Sequence, residues 1–402
     1  MKIFYVLGFM PPYITREIEA MAKAGHSITV LLPEVKSKDL TANFWNDISK
    51  DPDADTVRIQ RTLKFKYLNS SLSKLIKPLI KSFRYFPQLV KSIKEKEVKF
   101  FLTACDAISK IEEKNNPDLI HTHFALDQAH IAKIMASILR TPYTVTTHAT
   151  DIFVPRNPLR LKRVLEDAAT VFTISNFNVD YIESLNINPK KIVVSKLGLD
   201  TKTLPKWTPS TTPPTQILCI ASGLVQKKGV PDLINAIRIL SKKNIECILT
   251  VIGSDPSGAI LKKLQEETKG LPINFPGVLT SAKTLNQLSR ANIFVIPSVE
   301  ADNNDKDGIP VALMEAMGLG IPSISTRVSG IPELIEHKRT GLLVTPNSPG
   351  KLAKAIYYFI SNPETAAELG NKGREKIIIE HSLKNLTEAL TEAMNSILKG
   401  SK

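Results

Sequence analysis

The 402 residues, with 43% hydrophobic and 23% charged side chains, 18 Gly and 26 Pro, have the composition of an ordinary globular protein, which excludes a disordered or fibrous chain. At roughly 150 residues per domain the length calls for two or three domains, and no apolar run reaches the roughly 18 residues that cross a bilayer. The formal net charge of +14 asks for an acidic partner.

The apolar stretch Lys2 to Gly8 runs into Pro11 and Pro12 with no small-residue cleavage site, so it reads as a first strand and not as a signal peptide. Further β-branched runs follow at Ile28 to Leu32, Val57 to Gln60, Leu119 to His123, Tyr143 to His148, Val171 to Ser175 and Ile192 to Leu197, separated by helical patterns. A second series starts at Gln216 to Ser222 and continues through Cys247 to Ile252, Ile273 to Phe275, Ile293 to Pro297, Ser323 to Arg327 and Leu342 to Val344. Between the series, Asp200 to Thr215 holds Pro205, Pro209, Pro213 and Pro214 and reads as a linker. The pattern predicts an α/β protein of two doubly wound, Rossmann-like domains, 1–199 and 216–382 joined by 200–215, facing each other across a cleft. Functional residues are then expected in the loops beyond the carboxyl ends of the strands.

Charge is concentrated at residues 61–99, which carry 11 basic and 2 acidic side chains. There Leu72, Leu75, Ile76, Leu79, Ile80 and Phe83 recur at helical spacing, with Lys74, Lys77, Lys81 and Arg84 between them, a basic amphipathic helix interrupted by Pro78 and Pro87. Two readings stand: a helix packed on the protein body with solvated lysines, or a membrane contact in which each Lys or Arg contributes about 1 kcal/mol on an anionic surface. Nucleic acid is a weaker partner, since the aromatics of this stretch form no stacking motif. Cys105, Cys219 and Cys247 sit singly, the last two in apolar runs, which argues against a disulfide framework or zinc site and for inert core thiols in a reducing compartment.

The most informative stretch runs from Pro297 through Asp302, Asp305, Asp307, Gly308, Ile309 and Pro310 to Glu315 and Gly318, leaving a strand, crossing a polar turn and entering a helix. Asp307 then lies near the helix N-terminus and Glu315 within the helix, placed to accept hydrogen bonds from a polyhydroxylated ligand while free backbone N–H groups face its phosphates. A calcium loop over Asn303, Asp305 and Asp307 fails: its twelfth position is Met314, and a strand precedes it where a helix is required.

These residues resemble the donor-binding motif of the retaining glycosyltransferases of the GT-B fold, family 4, in which two acids separated by seven residues are followed by Ala-Met. The resemblance assigns Glu315 to the ribose hydroxyls and Asp307, where the family more often has Glu, to the transferred sugar, with Gly308, Ile309 and Pro310 lining the donor. The family's Gly-Arg-Leu and Lys-Gly segment reads Ser222-Gly223-Leu224-Val-Gln-Lys227-Lys228-Gly229: Lys228 matches a diphosphate ligand, but Gly223 stands where the Arg is expected. A missing guanidinium removes a strong contact to the leaving group, for which Lys227, Arg327 or a residue of the first domain is a candidate substitute. Gly253 in Val251-Ile-Gly253-Ser254, and Ser329 and Glu333 in Ser329-Gly330-Ile-Pro332-Glu333, match later donor-side loops; either loop glycine could serve backbone geometry alone.

In the first half, His148 and Asp151 match the family's His-x-x-Asp segment, which implies that His148 hydrogen-bonds a sugar hydroxyl, while Asp151 orients the loop. His121 and His123 alternate on one strand and so share a face; with no evident third ligand they are expected to be structural or acceptor-side rather than a metal site. The loop after the first strand, with Pro11, Tyr13 and Arg16, has fewer glycines than is common in the family, and Arg16 is a candidate for charge compensation. By analogy with the fold, residues 383–402 form a helix that returns to the first domain.

The expectation is a retaining hexosyltransferase using a nucleotide diphosphate sugar, with no metal or other cofactor, acting on a saccharide or lipid-linked acceptor at the inner face of the membrane, as a cytoplasmic, peripheral protein. Two alternatives stand beside it: a catalytically impaired nucleotide-sugar-binding homologue, motivated by Gly223, and a nucleotide-sugar epimerase or hydrolase on the same scaffold.

Overall fold

The structure, a computed structural model, describes residues 1–33, 59–65, 86–111, 116–255 and 257–400. Val57, and Lys74, Lys77, Lys81 and Arg84 of the basic stretch, lie outside them. Contacts divide the chain into two compact units, the first formed by Met1–Ile174, Val179–Gly198 and Leu383–Lys402, the second by Ser175–Asn178 and Leu199–Ser382.

The first unit is built on seven parallel strands: β1 (Lys2–Val6), β2 (Ser27–Pro33), β3 (Ile59–Phe65), β4 (Leu119–His123), β5 (Tyr143–Thr147), β6 (Thr170–Thr173) and β7 (Ile192–Val194), in the order β3-β2-β1-β4-β5-β6-β7. A parallel sheet is covered on both faces, so its strands are apolar at successive positions instead of alternating with polar ones. Phe4 and Val6 turn to one face, with Phe100, Phe101, Ile131 and Met135 over them. Ile3, Tyr5 and Leu7 turn to the other, which the helix Pro12–Lys23 covers with Ile14, Ile18 and Met21. The last helix, Leu383–Gly400, lies on this same face through Leu386, Leu390 and Met394, at positions i, i+4 and i+8.

The second unit has six parallel strands, β8 (Thr215–Ile220), β9 (Cys247–Ile252), β10 (Ile273–Gly277), β11 (Ile293–Ile296), β12 (Ser323–Thr326) and β13 (Leu342–Val344), in the order β10-β9-β8-β11-β12-β13. Its core packs Ile217, Leu249, Val251 and Val295 against Leu233, Ile237, Leu352 and Ile356 of the covering helices. In each sheet the strand order reverses beside the first strand, between β1 and β4 and between β8 and β11. Loops leaving such a switch point diverge to opposite faces and open a crevice at the carboxyl edge of the sheet.

The strands match the expected runs to within one or two residues at most ends, with two larger differences. The first is β3, which continues to Phe65 where the sequence reading stopped at Gln60; the second is β7, which ends at Val194 instead of Leu197. The proline-rich stretch before β8 is not a loose tether. The Trp207 indole N–H donates to the Ala291 carbonyl at 2.8 Å, Thr208 N–H to the Ser289 carbonyl at 2.8 Å, and Asn292 Nδ2 to the Ser210 carbonyl at 2.7 Å, which straps this segment to the second unit. Cys219 and Cys247 are buried as expected, whereas Cys105 is only half-buried. Burial pushes the thiols up to about 12, 11 and 12 for Cys219, Cys247 and Cys105, so none is thiolate at neutral pH. Among the described residues no helix is long and apolar enough to cross a membrane.

Candidate functional site

Two groups of side chains gather at strand ends, one in each unit. In the first, β5 ends at Thr147 and delivers His148 to a sharp turn before the short helix Thr150–Phe153. Asp151 ties this turn down: its fully buried carboxylate accepts from the backbone N–H of His148 at 3.0 Å, of Ala149 at 2.9 Å and of Ala125 at 2.9 Å. Burial raises its pKa, and these N–H donors pull it back toward the ionised form.

The His148 ring is stacked on Phe124 with centroids 4.2 Å apart, and Tyr13 lies against it at 5.4 Å. Burial, with the neighbouring His123, holds His148 well below the usual histidine range, so it is a neutral imidazole at physiological pH. Tyr13 and Arg16 are not in a loop. The helix starts at Pro12, where a missing N–H costs nothing and the fixed φ suits the first turn, so Pro11 is its N-cap residue and both side chains project from its first two turns. The Tyr13 hydroxyl is pushed above its ordinary range by burial and then by Asp151 and Glu17, and stays neutral.

His121 and His123 share a face, and a third group meets them there. Glu17 Oε1 lies 2.9 Å from His123 Nε2 and 3.8 Å from His121 Nε2 and accepts from the Tyr5 hydroxyl at 3.2 Å. The expectation that no third ligand accompanies the two histidines is therefore corrected. Glu17 brings a carboxylate to them, and the three ligand atoms lie within 4.8 Å of one another. Sequence alone does not single out Glu17, because a glutamate early in a helix normally faces water. The available signal was its place on the apolar face, three residues after Ile14 and four before Met21. Burial raises the Glu17 carboxyl to about 7 and lowers both His121 and His123 to about 3.

In the second unit, three loops meet at the carboxyl edge. After β8 the chain passes through Gly223 at φ +82° and Gly229 at φ +64° before the helix Val230–Ser241. A Cβ at Gly229 would stand 1.9 Å from the Pro297 carbonyl oxygen, so the loops after β8 and β11 touch backbone to backbone and require glycine there. At Gly223 only Val225 is near, at 3.4 Å, and the constraint is the left-handed backbone itself. The expected arginine position is thus one that disfavours any side chain.

The close approach of these loops pairs two lysines with two aspartates. Lys228 Nζ donates to both Asp307 oxygens, at 2.7 and 2.9 Å, and Ser298 Oγ donates to Asp307 Oδ2 at 2.8 Å. Lys227 Nζ lies 3.1 and 3.0 Å from the two Asp305 oxygens. Gly308, Ile309 and Pro310 are buried between Asp307 and the helix Val311–Leu319, whose N-terminus carries no side-chain cap, and Glu315 sits half-buried within that helix. The uncapped end is a place for an anion.

After β12, Ser329 adopts φ +48° and Gly330 has no room for a Cβ, which would meet Ile309 and Ser175 at 2.9 Å. Gly253 is likewise explained by its backbone, since a Cβ would lie 2.1 Å from the Ala221 carbonyl oxygen at φ +149°. The Glu333 carboxylate is engaged within the protein, accepting from Asn176 N–H at 2.9 Å, Asn176 Nδ2 at 2.9 Å and Phe177 N–H at 2.8 Å in the Ser175–Asn178 segment of the same unit.

Two doubly wound parallel sheets in series, each with polar loops at its switch point, are the architecture of the GT-B fold. Residues 12–203 match Glycosyltransferase Family 4 and residues 206–376 match Glycosyl transferases group 1, and the chain belongs to this group 1, family 4 glycosyltransferase family. The chain is 33% identical over 227 residues to a protein of Escherichia coli (strain K12) assigned as a colanic acid biosynthesis glycosyltransferase, WcaL, a match over 54% of this chain and 56% of that one. It therefore spans little more than half the length of this relative. It is 28% identical over 337 residues to the amylovoran biosynthesis glycosyltransferase AmsK of Erwinia amylovora, covering 81% of this chain and 79% of the relative. The structure of Anabaena Alr3699/HepE in complex with UDP-glucose shares the fold with a TM-score of 0.69 at 17% identity, over 98% of this chain and 100% of that one.

Proposed function

We propose that the chain is a retaining, metal-independent hexosyltransferase that moves a sugar from a nucleotide diphosphate sugar to a hydroxyl of a lipid-linked or membrane-proximal saccharide acceptor, in polysaccharide or glycolipid biosynthesis. The observation that carries this reading is the loop cluster of the second unit, in which Lys228, Asp307 and the uncapped helix start before Glu315 stand together at the carboxyl edge of the sheet. Family membership and the names of WcaL and AmsK support the chemistry and the pathway class.

In this reading Glu315 accepts from the ribose hydroxyls. Lys228 and the backbone N–H groups at Val311 carry the diphosphate, and Asp307 contacts the transferred sugar. His148 takes a hydrogen bond from a sugar hydroxyl, held by the Asp151 turn. The bond from the anomeric carbon to the β-phosphate oxygen breaks as the bond to the acceptor oxygen forms on the same face, and the acceptor proton passes to the departing phosphate. The protein supplies position and a preorganised charge environment. The basic residues at 61–99 support an acceptor at an anionic membrane surface on the cytoplasmic side.

The test is thermal stability of the wild type and Glu315→Ala with UDP-, GDP-, ADP- and dTDP-sugars in the presence of a chelator. A donor at about a hundred times its Kd stabilises by roughly 2.7 kcal/mol, a shift of some degrees. One nucleotide class should shift the wild type and not the variant, and transfer should favour detergent-dispersed lipid extract over soluble sugars. A dependence on added divalent metal, or use of soluble acceptors alone, contradicts the corresponding part of the reading. The second reading, a binding homologue with impaired transfer, is favoured by one observation, the left-handed glycine where the family carries its phosphate arginine. Donor binding without transfer to any acceptor would select it.

A further inference from the structure

The loops that leave β1, β4 and β5 enclose a cleft of about 550 Å³ at the carboxyl edge of the first sheet, lined by residues of the first unit alone. It has the size of a small-ligand site and lies beside the switch point between β1 and β4. Its lining carries three permanent or near-permanent cations, Lys99, Arg156 and Arg160, and two acids, Asp127 and Asp151. The acids are already engaged. Asp151 is fully buried and accepts from three backbone N–H groups, and Asp127 is paired with Lys99 at 3.5 Å.

Neither guanidinium has an acid. Arg160 donates one N–H to the Lys96 carbonyl at 2.9 Å, out of the five it carries. Arg156 is exposed, and among the described residues it makes no hydrogen bond or ion pair. Local structure holds this charge in place. Asn157 Oδ1 accepts from Arg160 N–H at 3.1 Å and so starts the helix Pro158–Asp167, while Lys99 Nζ and Arg160 Cζ stand over the Phe100 ring, 4.5 and 5.6 Å from its centroid. Arginines stay charged at any physiological pH and like charges at one cleft repel, so an anion entering it relieves both. Neutral groups that would read a sugar are mostly used up: Gln128 Nε2 donates to the His123 and Phe124 carbonyls, and Asn157 Oδ1 is the cap. Beside the cations the surface is apolar. Phe9 lines the cleft and is 45% exposed, its ring 4.7 Å from that of Phe124, and Leu159, next to Arg160 in sequence, is 69% exposed.

We propose that this cleft binds the acceptor through a phosphate group carried on an apolar chain, with Arg156 and Arg160 as its ligands, Lys99 as a further charge and Phe9 against the chain. That the bound molecule is an acceptor rests on the transferase reading above; the anion site does not. Two guanidinium forks match the several oxygens of a phosphate or diphosphate, and an exposed phenyl ring suits the chain that carries it.

The experiment is calorimetric titration of the full chain with farnesyl diphosphate, inorganic pyrophosphate, farnesol and glucuronate, for the wild type, Arg156→Gln, Arg156→Gln with Arg160→Gln, and Lys228→Ala. Farnesyl diphosphate is expected to bind most tightly, about tenfold more weakly in Arg156→Gln and about a hundredfold in the double variant, with an affinity that falls as salt rises and is unchanged in Lys228→Ala. Unchanged affinity in the double variant would overturn the site. So would a loss in Lys228→Ala, which would put the diphosphate on the loops of the second unit. Pyrophosphate or farnesol binding as tightly as farnesyl diphosphate, or glucuronate binding more tightly, would overturn the assignment of a phosphate on an apolar chain. Melting temperatures equal to the wild type show that the arginine variants fold. Binding as expected with no transfer from any nucleotide sugar removes the function and leaves the site; transfer with an acceptor KM unchanged in the double variant removes the site and leaves the function.

Discussion

Lys228 and Asp307, 79 positions apart in the chain, form a two-pronged ion pair at 2.7 and 2.9 Å, the cation of one loop held by the acid of the next. The resemblance to the family assigns them to different parts of one ligand, the diphosphate and the sugar. Their side chains are only 13% and 8% exposed, so each is the other's main compensation for lost water. On the proposed reading, a diphosphate reaching Lys228 competes with Asp307 for the same ammonium.

Asp307→Asn should therefore separate binding from transfer. Lys228 is released toward the phosphates, so affinity for the nucleoside diphosphate is retained or rises, while sugar transfer falls by about a hundredfold or more. Lys228→Ala should lose diphosphate affinity and leave Asp307 buried without its cation, lowering stability by about 1–3 kcal/mol. Calorimetric titration and thermal melts of both variants check this; equal loss of nucleotide affinity in the two would show that the pair acts only as a structural clasp.

The glycines at 223 and 229 predict unequal damage. Gly223→Arg meets only an ordinary contact with Val225 but a left-handed φ of +82°, a cost of about 1–2 kcal/mol, and should lower the melting temperature by a few degrees without raising turnover. Gly229→Ala drives its Cβ into the Pro297 carbonyl and should be much worse, separating the loops that pair Lys228 with Asp307. A large gain in turnover for Gly223→Arg would mean that the phosphates are poorly served in the natural chain.

Buried Glu17 and the two strand histidines give stability opposing pH dependences. Tyr5 faces Glu17 from β1 and His121 and His123 face it from β4, with Tyr13 close by on its own helix. Because Glu17 is raised from 4.5 to about 7, the folded chain keeps a proton there that the unfolded chain has shed, and stability falls as pH rises through that window. His121 and His123 are lowered from 6.5 to about 3, so the unfolded chain binds protons that the folded one refuses, and stability falls as pH drops below about 6.5. Glu17→Gln should remove the first slope and keep the second. Melting temperatures from about pH 4 to 8 read both limbs, and an unaltered slope above pH 5 in the variant would show that Glu17 is ionised throughout.

Much of this protein was written locally. Strand runs such as Cys247 to Ile252 end where the structure ends them, because a strand buried on both faces must be continuously apolar and its neighbours are turn residues. His148 at a strand end, and Asp307 and Glu315 either side of a helix start, follow from spacing alone, since strand, turn and helix have fixed rise and period. What spacing does not carry is which groups far apart in sequence share one dry volume. The burial of Glu17 depends on the helix Pro12–Lys23 lying over β1 and β4, and its partner His123 is 106 positions away. Likewise Gly229 reads as a flexible turn until the Pro297 carbonyl is seen 1.9 Å from where its Cβ would be. Period and composition belong to the chain itself, whereas hydrogen-bond partners and the protonation of buried groups are decided by the dielectric and geometry that only packing creates.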